Sequence, residues 1–347
     1  MKTEVIRADA DGIRRGAKLI RAGEVVGMPT ETVYGLAANA LDENAVKKIF
    51  AAKGRPADNP LIVHIASEKE LEGLVTRVPE MARALMRAYW PGPMTLIMPK
   101  TEAIPAIVTA GGDTVGIRMP ESEAARALIR ESGCPIAAPS ANTSGKPSPT
   151  TAQHVLSDMN GKIPLILDAG ACGVGVESTV IDTTGEEPVV LRPGAITPEM
   201  IRRTLGSVEV DEHVMKPLAE GEAVRSPGMK YRHYAPSARL TLFEGEHEQV
   251  KAEMCARYDA ALKAGGKPAI LGNPQEDYGG RLVFALGHDG NAEDAAVRIF
   301  ACLRELDDAG ITAAFCETIP LRGMGLAVMN RLGRAAGFNI EKAGENT

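Results

Sequence analysis

Four cationic side chains interrupt apolar stretches in the first half of the sequence. Lys53 and Arg55 flank a glycine in "KGRPADNP", and the proline that follows stiffens this corner of the chain. Arg118 stands within the apolar run "TVGIRMP", and Arg192 within "VVLRPG". Because burial of an unpaired charge is costly, an arginine in a buried strand predicts a counter-anion. That anion is either an internal carboxylate or a bound carboxylate or phosphate. For the pair at the corner, the alternative is surface charges that complement a helix dipole.

Hydroxyl-rich segments occur at the ends of predicted strands. "PTETVYGL" starts at Pro29 and "APSANTSGKPSPTT" at Ala138, and "GVESTVID" contains Ser178. The hydroxyls and N–H groups of the second segment are suited to a phosphate near a helix N-terminus, although a mobile linker has a similar composition. The segment matches neither a Walker A nor a G-x-G-x-x-G pattern. The threonines of the first segment also fit an N-cap cluster.

The sequence offers no obvious protein nucleophile. No serine lies in an elbow motif, no cysteine has a histidine partner nearby, and no His/Cys/Asp set has metal-ligand spacing. His64 lies inside a strand, where a lone histidine is more often a core residue than a ligand. The candidate residues therefore indicate chemistry in which the substrates supply the reacting groups. The protein would neutralise and align anions, as in phosphoryl or nucleotidyl transfer.

The secondary-structure pattern changes about two-thirds of the way along the chain. Residues 1–205 contain many short strands at irregular spacing between helices, which predicts a twisted mixed sheet with flanking helices. From residue 237 onward strands and helices alternate, which predicts a smaller Rossmann-like parallel sheet. We therefore expect an α/β fold with a catalytic domain at 1–205, a linker without regular structure at 206–236 and a small domain at 237–347.

Composition excludes several classes of protein. The formal net charge is −6 over 347 residues, and residues 1–205 carry 23 Lys and Arg against 24 Asp and Glu. This balance argues against binding of nucleic acid through a broad cationic surface. The N-terminus lacks the apolar region of a signal peptide, and no apolar run reaches the length of a membrane span. The five cysteines form no C-x-x-C pair and are expected to be small core residues. We expect a cytosolic protein.

Six motifs in order across residues 1–205 carry a family resemblance. "PTETVYGL", "KGRPADNPLIVHI", "WPGPMTLIM", "VGIRMP", "APSANTSGKPSPT" and "GVESTVID" together resemble the YrdC-type threonylcarbamoyl-AMP synthases, and the second half resembles that of the longer, two-domain members. The resemblance implies that L-threonine and bicarbonate form N-carboxy-threonine, which attacks the α-phosphate of ATP. The products are L-threonylcarbamoyl-AMP and pyrophosphate. It also implies Mg²⁺ held mainly by phosphates rather than by protein ligands, and a separate complex that transfers the threonylcarbamoyl group to an adenosine beside the tRNA anticodon.

The resemblance assigns roles to matching residues. Arg118 is expected to pair with the threonine carboxylate, and Lys53 and Arg55 are expected to act in catalysis. The threonine pocket is implied to comprise Thr32, His64, Arg118, Ser178 and the backbone around Ala138. Contacts with ATP are implied for Lys53, Arg55, Asn59, Thr114, Ser140, Ser148 and Arg192. Within residues 138–150, the division between ATP and threonine contacts is left open.

The segment "SPGMKYRHYAP", Ser226–Pro236, combines two tyrosines with three basic side chains. Because a carbamic–phosphoric anhydride hydrolyses readily, we expect this segment to cover the cleft during synthesis. Tyr234 is its candidate contact with the nucleotide. The alternative is a rigid spacer whose tyrosines pack on either domain.

Three other functions fit parts of the sequence. An RNA-binding module of the same domain type would need a cationic face, which the charge balance disfavours, and direct tRNA binding stays open. A carbamoyltransferase of the hydrogenase-maturation type would add an acylphosphatase-like domain and Cys-rich zinc motifs, and the sequence has neither. The third alternative is an α/β protein with an inactive cleft.

Overall fold

The computed structural model describes residues 2–216, 234–287 and 291–344, and contacts divide the chain into two compact units. Of the described residues, 2–144 and 148–216 form the first unit. The second unit takes in 234–287 and 291–344 together with the three loop residues Gly145–Pro147. In these ranges, no helix combines the length and apolar character that a membrane crossing requires.

The first unit is built on a mixed sheet, which confirms the predicted twisted sheet with flanking helices. Among the described residues the sheet has eleven strands in the order β1-β8-β2-β3-β7-β4-β6-β5-β9-β10-β11, with both parallel and antiparallel neighbours. Its elements along the chain are β1 (Glu4–Arg7), α1 (Ala10–Arg21), β2 (Val26–Met28), β3 (Gly35–Asn39), α2 (Glu43–Lys53), β4 (Ile62–His64), α3 (Glu80–Tyr89), β5 (Met94–Pro99), β6 (Thr114–Arg118), α4 (Glu123–Ser132), β7 (Ile136–Ala137), α5 (Ala152–Met159), β8 (Leu165–Asp168), β9 (Thr179–Asp182), β10 (Val189–Arg192), α6 (Pro198–Leu205) and β11 (Glu209–Val210).

Helix α2 shows how local sequence sets one corner of the candidate site. Asp42 caps its first turn by accepting hydrogen bonds from two backbone N–H groups, and Ile49 and Phe50 are buried against the core. The helix ends at Gly54, whose φ of 64° is the left-handed conformation that glycine adopts without a Cβ penalty. Lys53 is therefore the last residue of the helix, as the sequence predicted.

The second unit contains a five-stranded parallel sheet, as predicted. The described strands have the order β14-β13-β15-β12-β16, and all neighbours are parallel. Phe243, Ile270 and Phe315 from three of these strands are buried in one core cluster. The elements are β12 (Arg239–Glu244), α7 (His247–Lys263), β13 (Pro268–Gly272), β14 (Val283–Ala285), α8 (Ala292–Asp308), β15 (Ala313–Glu317), α9 (Met324–Ala335) and β16 (Ile340–Lys342).

The structure differs from the sequence prediction in several short elements. The predicted strand "PIAAPSA" is reduced to β7, beyond which only an isolated bridge joins Ser140 to Gly35 at the start of β3. Strands β1, β3, β11 and β16 were not predicted. In the segment expected to be irregular from residue 206, β11 pairs with β10 and a short 3-10 helix spans Glu212–Val214. Residues 217–233 of the predicted linker lie outside the described part of the chain.

Candidate active site

Five neighbouring strands of the first unit bring polar residues to one edge of its sheet. His64 ends β4, Arg118 ends β6 and Arg192 ends β10, while β5 and β9 start at the same edge. The register pairs His64 with Arg118, and Arg118 with Thr95 near the start of β5. Ser178 immediately precedes β9. The parallel and antiparallel pairings thus collect residues that are far apart in sequence, which no local pattern could show.

Arg118 lies in a buried network with the "PTETVYGL" motif. Its Nη1 donates to Thr32 Oγ1 at 2.9 Å and its Nη2 to Glu31 Oε1 at 2.5 Å. Burial by itself raises the pKa of Glu31, but the Arg118 charge and hydrogen bonds from backbone N–H groups outweigh that effect and hold the pKa below its ordinary value. The internal carboxylate that was one of the two predicted partners of Arg118 is therefore Glu31.

Ser178 and Arg192 form a second buried group on the same edge. The Ser178 hydroxyl lies 2.8 Å from Thr95 Oγ1, and Arg192 Nη2 donates to it at 3.1 Å. Arg192 Nε also donates to the Ser178 carbonyl oxygen at 3.1 Å. All three side chains are buried. Arg192 is thereby fixed against a residue of the predicted threonine pocket.

His64 is buried and carries an unsatisfied nitrogen. Its Nδ1 has no hydrogen-bond partner among the described residues. Burial, and after it the Arg118 charge, lowers the pKa of His64 to about 3. The ring is therefore neutral at physiological pH. It can donate a hydrogen bond to a bound molecule or accept one, depending on its tautomer, without adding charge to the site.

Lys53 is not a surface charge, which was the alternative interpretation of this corner. The side chain is buried, and its Nζ donates to the carbonyl oxygens of Ser140 and Asn142, the latter at 2.8 Å. Burial, followed by the Arg55 charge, lowers the pKa of Lys53 well below its usual range. In the described structure Lys53 anchors the hydroxyl-rich segment, so its amine is in place beside Ser140.

Arg55 and Asn59 form the other part of this corner. Arg55 is half-buried and its Nη2 donates to the Asn59 carbonyl oxygen at 3.1 Å. The Asn59 side chain is fully buried, yet neither its Oδ1 nor its Nδ2 has a hydrogen-bond partner within the described ranges. A buried amide without partners is rare in folded proteins and calls for a ligand or ordered water. Asn59 is therefore a candidate ligand contact.

The remaining residues of the hydroxyl-rich segment are also held in place. The buried Ser148 hydroxyl donates to Glu177 Oε1 at 2.6 Å, beside Ser178, and Ser140 Oγ donates to Asn142 Oδ1 at 2.5 Å. The Ala138 N–H donates to the Ile62 carbonyl oxygen at 3.0 Å, so Ala138 extends along β4.

A cavity of about 330 Å³ lies on the sheet face that carries Arg118, but towards the other end of β6. Thr114 and Gly116 line it, and because side chains alternate along a strand, both share a face with Arg118. A Cβ at Gly116 would lie 3.1 Å from the Thr95 methyl carbon, so glycine keeps this space open. Thr114 is thus separated from Arg118 by the length of a short strand, with the cavity between them.

Tyr234 belongs to the second unit. Its ring centroid lies 5.0 Å from that of Phe300, and its φ is 62°. Of the segment with candidate lid function, Ser226–His233 lie outside the described residues, whereas Tyr234–Pro236 are described. The lid and the contact of Tyr234 with the nucleotide stay predictions.

Three residues that the sequence reasoning did not single out take part in the network: Glu31, Thr95 and Glu177. All three stand inside motifs of the family resemblance, but a polar side chain there gives no signal of its partner. No group of three or more His, Cys, Asp or Glu side chains in the described structure is arranged to hold a metal ion.

Comparisons with known proteins find relatives that match both halves of the chain. Residues 18–194 match the Sua5/YciO/YrdC family profile, described as telomere recombination, and residues 196–337 match the profile described as the threonylcarbamoyl-AMP synthase C-terminal domain. Proteins named threonylcarbamoyl-AMP synthase are 49% identical in Pyrococcus abyssi, over 95% of each chain, and 46% identical in Bacillus subtilis, over 97% of this chain and 96% of the relative.

Two further relatives differ in how much of this chain they cover. The crystal structure of P. abyssi Sua5 complexed with L-threonine is 47% identical, covers 99% of each chain and superposes with a TM-score of 0.92. A threonylcarbamoyl-AMP synthase of Pseudomonas putida is 34% identical over 183 residues, which are 52% of this chain but 97% of that protein. That relative is therefore too short to contain both units. The chain belongs to the Sua5/YciO/YrdC family and, with both family domains in one polypeptide, to its two-domain threonylcarbamoyl-AMP synthases.

Proposed function

We propose that the protein makes L-threonylcarbamoyl-AMP and pyrophosphate from L-threonine, bicarbonate and ATP. A carboxylate oxygen of N-carboxy-threonine forms a bond to the α-phosphorus, and the bond between that phosphorus and the bridging oxygen of pyrophosphate breaks. The observation that carries the proposal is the site on the first unit, where unsatisfied buried atoms of His64 and Asn59 accompany a buried Arg118. The names of the relatives and the threonine complex of P. abyssi Sua5 support it.

The threonine end of the site is proposed at the edge formed by β4, β6 and β9. Arg118 is the cation for the amino acid carboxylate, and its Nε has no partner among the described residues. Thr32 orients the guanidinium. Ser178 supplies a buried hydroxyl that is hydrogen-bonded to Thr95, the strand partner of Arg118. His64 offers a neutral nitrogen, and the backbone at Ala138 completes the proposed pocket.

The ATP end is proposed around Asn59 and the cavity that Thr114 lines. Apolar side chains, among them Ile97 and Val180, form the floor of that cavity, and Asp182 adds a carboxylate to its wall. This combination suits a flat base that has both an apolar face and hydrogen-bond donors at its edge. We assign the phosphates to Lys53, Arg55, Ser140, Ser148 and Arg192, with Tyr234 as a further contact.

The protein's contribution to the reaction is alignment and charge neutralisation. The carbamate carboxylate is already an anionic nucleophile, so no protein base is required to activate it. Lys53 and Arg55 would stabilise charge that develops on the phosphate oxygens, and this stabilisation is strong in a site that excludes water. Mg²⁺, bound mainly by phosphate oxygens, would neutralise the pyrophosphate that leaves.

The product implies a partner. L-threonylcarbamoyl-AMP is a short-lived acyl donor, and we propose that it passes to a complex that modifies an adenosine of tRNA beside the anticodon. The alternative function is an RNA-binding module without catalysis. A gel shift that weakens with salt, without any pyrophosphate release, would favour that alternative.

The test of the proposed reaction measures pyrophosphate with ATP, Mg²⁺, bicarbonate and labelled threonine. We expect pyrophosphate and a labelled adenylate in equal amounts, and neither when threonine or bicarbonate is omitted. If pyrophosphate is still released when threonine or bicarbonate is left out, the assignment is refuted. Truncation after Ser226 tests the lid: a lid predicts loss of synthesis, and a spacer predicts an active first unit.

Gly116→Val tests the base subsite separately. The added side chain would fill the cavity of the first unit, so we expect the KM for ATP to rise at least tenfold while that for threonine changes little. Gly185→Val is the matched control, because a Cβ at this exposed glycine would have no neighbour nearer than 3.9 Å. An unchanged KM for ATP in Gly116→Val would remove the cavity from the ATP site.

A further inference from the structure

A cavity of about 360 Å³ in the second unit lies at the carboxyl ends of three neighbouring strands. It is lined by residues that follow or end β13, β14 and β15, including Asn273, Leu286 and Glu317. Its volume falls in the range of small-molecule sites, roughly 300–1,000 Å³. None of its lining residues has a role in the proposed reaction.

The position of this cavity in the sheet is a place where α/β proteins bind ligands. Strands β13 and β15 are neighbours, but the chain leaves them in opposite directions. After β13 it continues to β14 at one edge, whereas after β15 it continues through α9 to β16 at the other edge. Such a divergence opens a crevice outside the strand ends, and this crevice is the usual ligand site of open parallel sheets.

The charged groups at the cavity indicate what kind of ligand it takes. Glu317 and Glu276 are both half-exposed, and His247 lies between them, with Nδ1 2.8 Å from Glu317 Oε2 and Nε2 3.7 Å from Glu276 Oε1. Lys251 contacts Glu276 at 2.6 Å but does not line the cavity. Among the described lining residues there is neither lysine nor arginine. The site therefore suits hydrogen-bond donors such as hydroxyl groups and disfavours phosphate.

The rest of the wall is apolar and suits a ring. Leu271, Leu286, Ile319 and Pro320 line it, together with the buried Tyr278. Tyr278 is seated against Gly272, where a Cβ would lie 2.5 Å from the phenol oxygen. Glycine at the end of β13 thus allows an aromatic ring to form one wall of the cavity.

We propose that the second unit binds a nucleoside without phosphate, whose ribose hydroxyls donate to Glu317 at the end of β15 and whose base lies against the apolar wall. A carboxylate at this place in a parallel sheet is well suited to a vicinal diol, since its two oxygens accept from both hydroxyls. The site goes beyond the proposed synthesis. The relative from P. putida, which lacks room for both units, bears the same name as the two-domain relatives, so the reaction leaves this cavity free for another purpose.

Calorimetric titration of the full chain with adenosine tests the site. The background is Gly116→Val, which fills the cavity of the first unit. We expect saturable binding that Glu317→Gln weakens about tenfold or more, as for loss of a hydrogen bond to a charged group. 2′-Deoxyadenosine should bind the Gly116→Val protein more weakly than adenosine, but the two ligands should bind the Glu317→Gln form equally. Hydrogen exchange should show protection by adenosine at residues 271–273 and 317–320.

Glu305→Gln is the matched control, because Glu305 is a half-exposed carboxylate on α8 outside the cavity lining. Ala295→Leu is a second variant, which fills the cavity from α8 and should abolish binding. The proposal is overturned if adenosine gives no saturable heat at millimolar concentration, if the 2′-hydroxyl makes no difference, or if free amino acids bind in place of the nucleoside. Pyrophosphate formation by Glu317→Gln should remain normal, so failure here is distinct from failure of the proposed synthesis.

Discussion

Glu31 holds the guanidinium of Arg118 from a position next to Thr32, which holds the same group through its hydroxyl. Side-chain exposure is only 5% for Arg118 and 11% for Glu31. A guanidinium in this state is already neutralised, so a bound carboxylate would meet a fixed hydrogen-bonding fork rather than a free charge. We therefore propose Glu31 as a positioning residue and expect selectivity for an amino acid to come from geometry more than from net attraction.

Removal of Glu31 should destabilise the first unit. Glu31→Ala leaves Arg118 as a buried charge without its carboxylate, and we expect the free energy of unfolding to fall by about 3 kcal/mol. Glu31→Gln keeps a hydrogen-bond acceptor and should cost less. Urea unfolding followed by the fluorescence of Trp90, the single tryptophan and a residue of the first unit, measures both. Glu43→Ala, which breaks only an exposed pair with Lys47, serves as control and should change stability by less than about 1 kcal/mol. Equal stabilities of Glu31→Ala and this control would contradict the argument.

Lys53 shows what a sequence motif reveals and what it hides. The motif "KGRP" predicts the end of a helix at Gly54, because glycine adopts the left-handed conformation there. It does not reveal that the amine is buried against carbonyl oxygens of Ser140 and Asn142, 87 and 89 residues away. That contact depends on tertiary packing, and a charge next to a turn has the same local pattern whether it is buried or exposed.

Lys53→Met should abolish adenylate formation while retaining the helix. The variant keeps the length and the apolar part of the side chain but removes the donor that anchors the hydroxyl-rich segment. We expect pyrophosphate release to fall at least about 100-fold, as when a preorganised donor is lost. Lys47→Met on the exposed face of the same helix is the matched control and should be fully active. Activity of Lys53→Met close to that of the control would exclude Lys53 from the catalytic role.

The type of each sheet, mixed in the first unit and parallel in the second, could be predicted from the spacing of strands and helices along the sequence. Alternation of strands and helices after residue 237 is a strong local signal of a parallel sheet, and it is confirmed. Strand β3 was not predicted, because "GLAAN" consists mostly of small residues and follows a turn motif. The partners Glu31 of Arg118 and Glu177 of Ser148 could not be predicted either, since strand order brings them together from 87 and 29 residues away.

The buried neutral His64 makes stability depend on pH in a defined direction. Its pKa is about 3 in the folded chain and about 6.5 when unfolded, so below pH 6.5 the unfolded state binds a proton that the folded state does not. The stabilisation is therefore present above pH 6.5 and is lost as the pH falls towards 3. Between pH 7.5 and 5.5 the wild-type protein should lose about 1.4 kcal/mol more unfolding free energy than His64→Gln. The free energy of unfolding of both proteins is measured against pH by the fluorescence of Trp90. If it changes equally with pH in the two proteins, His64 is not a buried neutral ring.

The unsatisfied amide of Asn59 predicts a variant in which stability and function separate. A buried amide without hydrogen bonds is a cost to the protein alone, because its desolvation is not compensated until a ligand binds. Asn59→Leu removes that cost at similar volume, so we expect its free energy of unfolding to equal or exceed that of the wild type. The KM for ATP should nevertheless rise at least tenfold, since the ligand loses a buried hydrogen-bonding partner. Asn44→Leu on the exposed surface of α2 is the control and should leave the KM unchanged. If Asn59→Leu destabilises the protein and binds ATP normally, the amide is part of the core and not of the nucleotide site.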